Sequence, residues 1–377
     1  MKIQLRQSFT LLTLALTLLC SCGGNTRQQS SMAGDTVRMK YAENICIVKY
    51  DGYTKVELAN PWRKGSLLHT FILVDKDAER TNLPEGTVVK VPLMKSAVSS
   101  GVHGSLITEL GALKSIRAVF EVEYYSNKDI LREYKAGRIL NLGSSMTPNI
   151  EAIINAHPDA LLLSPFENSG YGQIDNLDIP IIDCADYMET SPLGRAEWMK
   201  FYGLLYGKAH EADSLFNTVE AEYTRLKEMA KTNTSHPKVV NDLITGSTWY
   251  VPGGNSTTGQ LIADAGGDYI FKNEDKSGSI AMAPEAVFEK SQDADVWIFK
   301  YTQPTDKTYD QLASESPMYC QIKAFKDKNV FGCNLSYVPF YNDLPFHPDR
   351  HLKELIKMFC PKSLPDYQLK YYKPVGK

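Results

Sequence analysis

No Cys-x-x-Cys pair occurs among the seven cysteines, so neither a zinc knuckle nor a thioredoxin-type redox site is indicated. Gly-x-Ser-x-Gly, His-Glu-x-x-His, Walker A and Gly-x-Gly-x-x-Gly are missing too, which leaves hydrolase, metalloprotease and nucleotide chemistry without a motif. Glu121 and Glu123 are paired carboxylates, but alternate residues of a strand share a face by period alone. Basic charge is not in excess: 41 Lys and Arg stand against 44 Asp and Glu, and no basic field points to nucleic acid. Beyond the N-terminal segment no run is apolar enough to span a membrane.

What is present starts with export. Lys2 and Arg6 precede an apolar run from Phe9 to Leu19, too short for a comfortable span. Leu19-Cys20-Ser21-Cys22-Gly23 resembles a bacterial lipobox with Cys22 as the lipidated residue, although Cys20 is unusual at its position. The alternative is ordinary signal-peptidase cleavage nearby. Lipidation predicts a chain anchored in the envelope bilayer and facing the periplasm, with residues 23–38 as a polar tether.

The remaining length suits two domains. Residues 39–94 read as an antiparallel β ribbon of β-branched runs separated by Asp-Gly, Asn-Pro and Pro-Glu-Gly turns. Short buried strands then alternate with helices across 95–208 and again across 233–377, the pattern of mostly parallel sheets. Between them, Ala212, Leu215, Phe216, Val219, Tyr223, Leu226 and Ala230 form one stripe at steps of three and four. This predicts a single long helix over 209–232, stopped before Pro237. The expected fold is thus α/β: two lobes joined by one helix, with an N-terminal β ribbon. A cleft between the lobes, beyond the carboxyl ends of the strands, is the expected site.

Five segments then carry a resemblance. They are Leu110-Gly111-Ala112-Leu113; residues 141–163 with Pro148-Asn149-Ile150-Glu151 and Pro158-Asp159; the helix from Gly207; Gly259-Gln260-Leu261-Ile262 running to Gly266-Gly267; and Pro284-Glu285-Ala286-Val287 with Asp293-Ala294-Asp295-Val296-Trp297-Ile298. In this order and spacing the chain from about Lys95 onward resembles the periplasmic substrate-binding proteins of ABC importers for iron-siderophores, haem and cobalamin. The resemblance implies two lobes on a rigid helix, no catalysis, no cofactor, and delivery of a metal chelate to a permease with its ATPase subunits. It also implies that Glu151 and Glu285 dock on permease arginines. Acids in first helical turns are otherwise explained by the helix dipole.

The loops expected at the cleft, the first running from Ser96 to His103, are rich in aromatic and hydroxyl groups. Expected ligand contacts are Ser99, His103, Tyr124, Tyr125, Ser145, Met146, Phe166, Asn168, Tyr171, Tyr187, Arg195 and Trp198 in the first lobe. In the second they are Trp249, Tyr250, Asn255, Ser256 and Tyr301, with Gly253-Gly254 as a close backbone approach or a plain turn. Aromatic faces suit a conjugated chelate and Arg195 suits its anionic groups, unless Arg195 pairs with Glu189 or Glu197. Tyr124 and Tyr125 suit the core equally well. His103 and Tyr124 are the candidate haem-iron ligands, whereas His347 and His351 read as polar surface. Two rival classes remain: a lipid-anchored envelope hydrolase, and a free-metal-ion binder with His and carboxylates gathered in the cleft.

Overall fold

The computed structural model describes residues 34–79 and 81–376. The export segment, Cys22 and most of the tether lie outside the described residues.

Five strands, β1 (Asp35–Val37), β2 (Ile45–Tyr50), β3 (Tyr53–Ala59), β4 (Leu67–Asp75) and β5 (Thr87–Val91), form one sheet in that order. Two features correct the expected ribbon. β1 occupies part of the stretch read as tether, and β5 runs parallel to β4 because residues 76–86 carry the chain back across. The sheet buries Ile47, Val56, Leu58 and Phe71. It is gripped through its own backbone. Buried Glu197 accepts the amides of Lys40, Tyr41 and Ala42, and buried Glu189 accepts those of Glu43 and Asn44.

The first lobe holds β6 (Ser96–Val98), β7 (Ile116–Val119), β8 (Leu140–Asn141), β9 (Ala160–Leu163) and β10 (Ile181–Asp183), all parallel, in the order β10-β9-β6-β7-β8. β6 was expected to be cleft loop. It is the central strand, wholly buried, with the Ser96 hydroxyl donated to Ser115 O. Around this sheet lie α1 (Gly101–Glu109), α2 (Lys128–Lys135) and α3 (Ile150–Ala156). The helical stretch after Pro192 is broken at Trp198 into α4 (Pro192–Glu197) and α5 (Met199–Leu205).

α6 (Ala209–Lys231) is the predicted long helix. Its buried residues are those of the stripe, with Leu215 partly exposed. At about 1.5 Å per residue it runs roughly 34 Å. It packs against α5 on one side and, in the second lobe, against α12 (Pro348–Phe359).

The second lobe has β11 (Lys238–Asn241), a three-stranded antiparallel sheet of β12 (Ile244–Thr245), β13 (Thr248–Pro252) and β15 (Ser279–Met282), and the main sheet β14-β11-β16-β17-β18. In that main sheet β14 is Asp268–Tyr269, β16 Val296–Tyr301, β17 Val330–Asn334 and β18 Lys373–Pro374, with only the last pair antiparallel. The remaining helices are α7 (Thr257–Asp264), α8 (Pro284–Ser291), α9 (Tyr309–Glu315), α10 (Lys323–Lys326) and α11 (Phe340–Asp343).

The lobes also meet directly. α11 lies so close to the start of α1 that a Cβ at Gly101 would stand 1.9 Å from Asn342 Oδ1. Nearby, His347 Nε2 is 2.7 Å from Glu109 Oε2 and Arg350 is 3.5 Å from the same carboxylate. His347 and His351, expected on the surface, are both buried, and His351 packs against Phe340 and Tyr372. Burial alone would lower the His347 pKa, but Asp349 and Glu109 outweigh it and raise it above its usual value. Burial likewise opposes the charge on Glu109, whose pKa His347 and Arg350 nevertheless lower. The raised histidine stabilises below its unfolded value of about 6.5 and loses that contribution as pH climbs through the folded value. The lowered carboxyl stabilises above about 4.3 and loses its contribution as pH falls further. The melting-temperature gap between wild type and His347→Gln is therefore expected to be widest between about pH 4.3 and 6.5. It should correspond to on the order of 1 kcal/mol, since solvent at Glu109 screens the pair. A gap that widens steadily above neutral pH would contradict this account of the latch.

Candidate ligand cleft

The strand order locates the site. β7 and β8 follow β6 to one side, whereas β9 and β10 lie on the other, so the chain reverses between β6 and β9. In open α/β sheets that reversal leaves a crevice at the carboxyl ends. Here a hollow of about 750 Å³ opens there, walled by Ser99 and Ser100 after β6, by Leu163 at the end of β9 and by Ser164 after it. Ser145, Met146, Phe166, Tyr171 and Gln173 add to its wall, so the hollow is lined by the first lobe alone and not by both lobes as expected. Its size falls in the range of small-molecule sites.

Two loops shape it. Glu121 has a left-handed backbone, φ 48°, and its carboxylate accepts the hydroxyls of Ser144 at 3.2 Å and Ser145 at 3.0 Å. Glu121 and Glu123 therefore do not share a strand face, because β7 ends at Val119. The second loop is folded back by a Phe166–Ser169 bridge, with Asn168 exposed at φ 56°. The Tyr187 hydroxyl donates to Pro165 O and pins the loop from outside the hollow.

Apolar side chains left in solvent mark the same region. Met146 is 73% exposed and Tyr124 72%, with Phe166 also exposed. Exposed Tyr250, Tyr337 and Tyr341 are their second-lobe counterparts by type. Tyr337 and Tyr341, which follow β17, were not anticipated. Beneath Tyr341, Lys300 is paired with Asp242 Oδ1 at 2.8 Å and lies over the Phe340 ring. Burial and Lys300 together push His351 down to about 3. A lysine ending the apolar run Val296-Trp297-Ile298-Phe299 was the signal available for this buried cation. Among the described residues no three His, Cys, Asp or Glu side chains gather as a metal-ligating group, and no helix is long and apolar enough to cross a membrane.

Residues 97–336 match the sequence profile described as periplasmic binding protein. The chain belongs to the periplasmic binding protein family. It is therefore a binding protein and not an enzyme, which removes the hydrolase reading. An uncharacterized lipoprotein of Methanocaldococcus jannaschii is 30% identical over 324 residues, 78% of this chain and 75% of the relative. A possible iron-binding periplasmic solute-binding protein of Staphylococcus epidermidis superposes with a TM-score of 0.57 at 16% identity, covering 71% of this chain and 99% of that one. A periplasmic haem-binding protein of Pseudomonas aeruginosa superposes with a TM-score of 0.58 at 14% identity, covering 75% and 98%. These two structures share the two-lobed α/β fold. The family and the relative's name agree on an exported, envelope-associated protein.

In this binding protein several expected contacts serve the interior instead. His103 is buried, its Nε2 2.7 Å from Asp186 Oδ1, so it is not placed as a haem ligand. Tyr125 donates to Val98 O. Trp198 is fully buried and donates to Glu189, and Trp249 is fully buried and donates to Asn241 O. Residues 248–252 are strand β13 rather than loop. Ser256 caps α7, Asn255 donates to Asp275 O, and the Tyr301 hydroxyl accepts the Lys307 amide. Gly253 is required by its own chain: a Cβ there would meet Lys276 O at 2.0 Å. Glu151 and Glu285 are exposed in the first turns of α3 and α8.

Arg195 pairs with neither expected glutamate. Its Nε donates to Asp186 Oδ2 at 3.0 Å, while Tyr202 and His103 hold Oδ1. Burial opposes the charge on Asp186, but His103, Arg195 and Tyr202 outweigh it and bring its pKa down to about 2. This fully buried carboxylate ties α1, α4 and α5 together just after β10. Asp186→Ala strands the buried partners and is expected to cost about 3–5 kcal/mol in urea unfolding. A loss below about 1 kcal/mol would show that the cluster is not a structural hub.

Proposed function

We propose that this periplasmic binding protein captures a metal chelate in the cleft and delivers it to an ABC permease driven by its ATPase subunits. An iron-siderophore is the first choice of ligand, followed by cobalamin and haem. The observation that carries the reading is the lining of the hollow: serine hydroxyls beside exposed Met146 and Phe166 and half-buried Tyr171. Hydroxyls hydrogen-bond the polar rim of an organic chelate, and the exposed apolar groups gain from burial against its body. Ser99, Ser145, Met146, Phe166 and Tyr171 are the proposed contacts. Cys22 is the proposed lipid anchor to the envelope bilayer, on the periplasmic side.

Calorimetric titration with a ferric trihydroxamate, a ferric catecholate, haemin and cyanocobalamin tests the ligand. One is expected to bind saturably at micromolar concentration or tighter. Phe166→Ala and Met146→Ala are each expected to weaken it about tenfold, equivalent to about 1.4 kcal/mol. Silence toward all four, or variants that bind as wild type does, counts against the reading.

Glu151 and Glu285 are the proposed docking acids, one per lobe, suited to meet basic pockets by charge. Reversal of both to Lys is expected to leave chelate affinity unchanged and to cut transport in cells at least tenfold. Normal transport by the double variant removes the docking role.

A further inference from the structure

We propose that His69 of the N-terminal sheet is a positioning residue for the ligand hollow: it holds Asp183, and Asp183 holds Tyr171 on the hollow's wall. The consequence for binding rests on the function proposed above; the mechanical link does not.

Three contacts make one line. The Tyr171 hydroxyl donates to Asp183 Oδ1 at 2.6 Å. Asp183 Oδ2 stands 2.7 Å from His69 Nδ1. A carboxylate only accepts, so the ring N–H at Nδ1 donates, and Nε2 lies 2.7 Å from the Thr87 hydroxyl. Asp183 is buried, at the carboxyl end of β10. Its two oxygens face opposite ways, one toward the cleft loop and one toward a different sheet. His69 is itself fixed: it stacks on Phe71 at 4.2 Å, and Phe71 stacks on Phe201 of α5.

His69 lies before residues 97–336, which match the family profile, so this part of the wall is braced by a sheet outside the matched region. The backbone grip of Glu189 and Glu197 holds the sheet as a whole. His69 is its contact with the strand end that carries the wall. Without that contact Asp183 keeps Tyr171 as a partner but loses the group that orients it. A positioning residue of this kind acts through geometry, and a small loosening of a wall costs affinity because the site is no longer preorganised.

The test is hydrogen exchange of the ligand-free protein, read in peptides covering residues 164–173. His69→Ala is expected to speed exchange there about tenfold, and Tyr171→Phe to do the same. The double variant is expected to be no faster than either, since contacts in one line are not additive. His69→Asn, whose amide nitrogen stands where Nδ1 stands, should restore slow exchange. Unchanged exchange in His69→Ala, or effects that add in the double variant, overturns the brace. Haemin and a ferric trihydroxamate are titrated in parallel. If neither binds but the exchange pattern holds, the brace stands and the chelate reading falls. If one binds and His69→Ala changes neither exchange nor affinity, the reading stands and the brace falls.

Discussion

The molecule depends on the buried stripe of α6. Phe216, Val219, Tyr223 and Leu226 are each nearly or fully removed from solvent. Burial of side chains of this size is worth about 1.5–3 kcal/mol apiece. The same helix carries contacts to every part of the described chain. It packs on α5 and on α12, its Glu220 takes the Tyr41 hydroxyl of the N-terminal segment at 2.6 Å, and its Tyr223 donates to Asp264 of α7 at 2.7 Å. Two lobes that share one packed helix do not part freely, because opening them means stripping apolar surface rather than turning loose hinge strands. The Glu109–His347 contact closes the same pair of lobes at a second place. Lobes held together at two places are largely fixed relative to each other, and the hollow in the first lobe is formed without any closure of one lobe on the other.

Buried carboxylates do the second structural task. Glu189, Glu197, Asp183 and Asp186 are all buried in the first lobe, and each oxygen of these carboxylates has at least one donor. Burial raises the Glu189 pKa, whereas Glu197 is lowered because Lys200 and three backbone amides outweigh its burial. An unpaired buried carboxylate is costly, so each of these groups specifies its surroundings more than it stabilises them. Three act outward from the lobe, fixing the N-terminal sheet where apolar contact alone would leave its register free. This is the physical content of a sheet that composition alone could only mark as an addition.

The periodic parts of the chain were legible. Seven residues at steps of three and four announced α6, and Ala160-Leu161-Leu162-Leu163 announced a strand buried on both faces. Ser96-Ala97-Val98 did not announce β6, since three residues beginning with serine carry no period and only the tertiary fold makes them central. The direction of β5 was equally hidden, for a strand's residues do not encode whether its neighbour runs with or against it. At the site the split follows the same logic. Ser99, Ser145 and Met146, small and flexible residues after strand ends, line the hollow. Trp198 and Trp249, expected there too, do not: an aromatic side chain in a hydroxyl-rich stretch reads the same whether its ring turns inward or outward. Their indole N–H groups found Glu189 and Asn241 inside the protein.

That misreading sharpens the character of the cleft. Once the two tryptophans and His103 are assigned to the interior and Arg195 to Asp186, what lines the hollow is uncharged: hydroxyls, the Gln173 amide, one thioether, one phenyl ring, one phenol and the aliphatic Leu163 and Pro148. Recognition by such a surface cannot rest on ion pairing and must come from shape, apolar contact and a few directed hydrogen bonds. Glu121 is a charge built into one of these loops, and it is occupied with Ser144 and Ser145. Its left-handed backbone would be strained in a free loop, and two hydroxyl partners together with the Gly143 carbonyl hold it there. The charge therefore fixes the loop and leaves the neutral atoms to meet the ligand, a division suited to a cargo that is carried as an intact complex rather than as a bare ion.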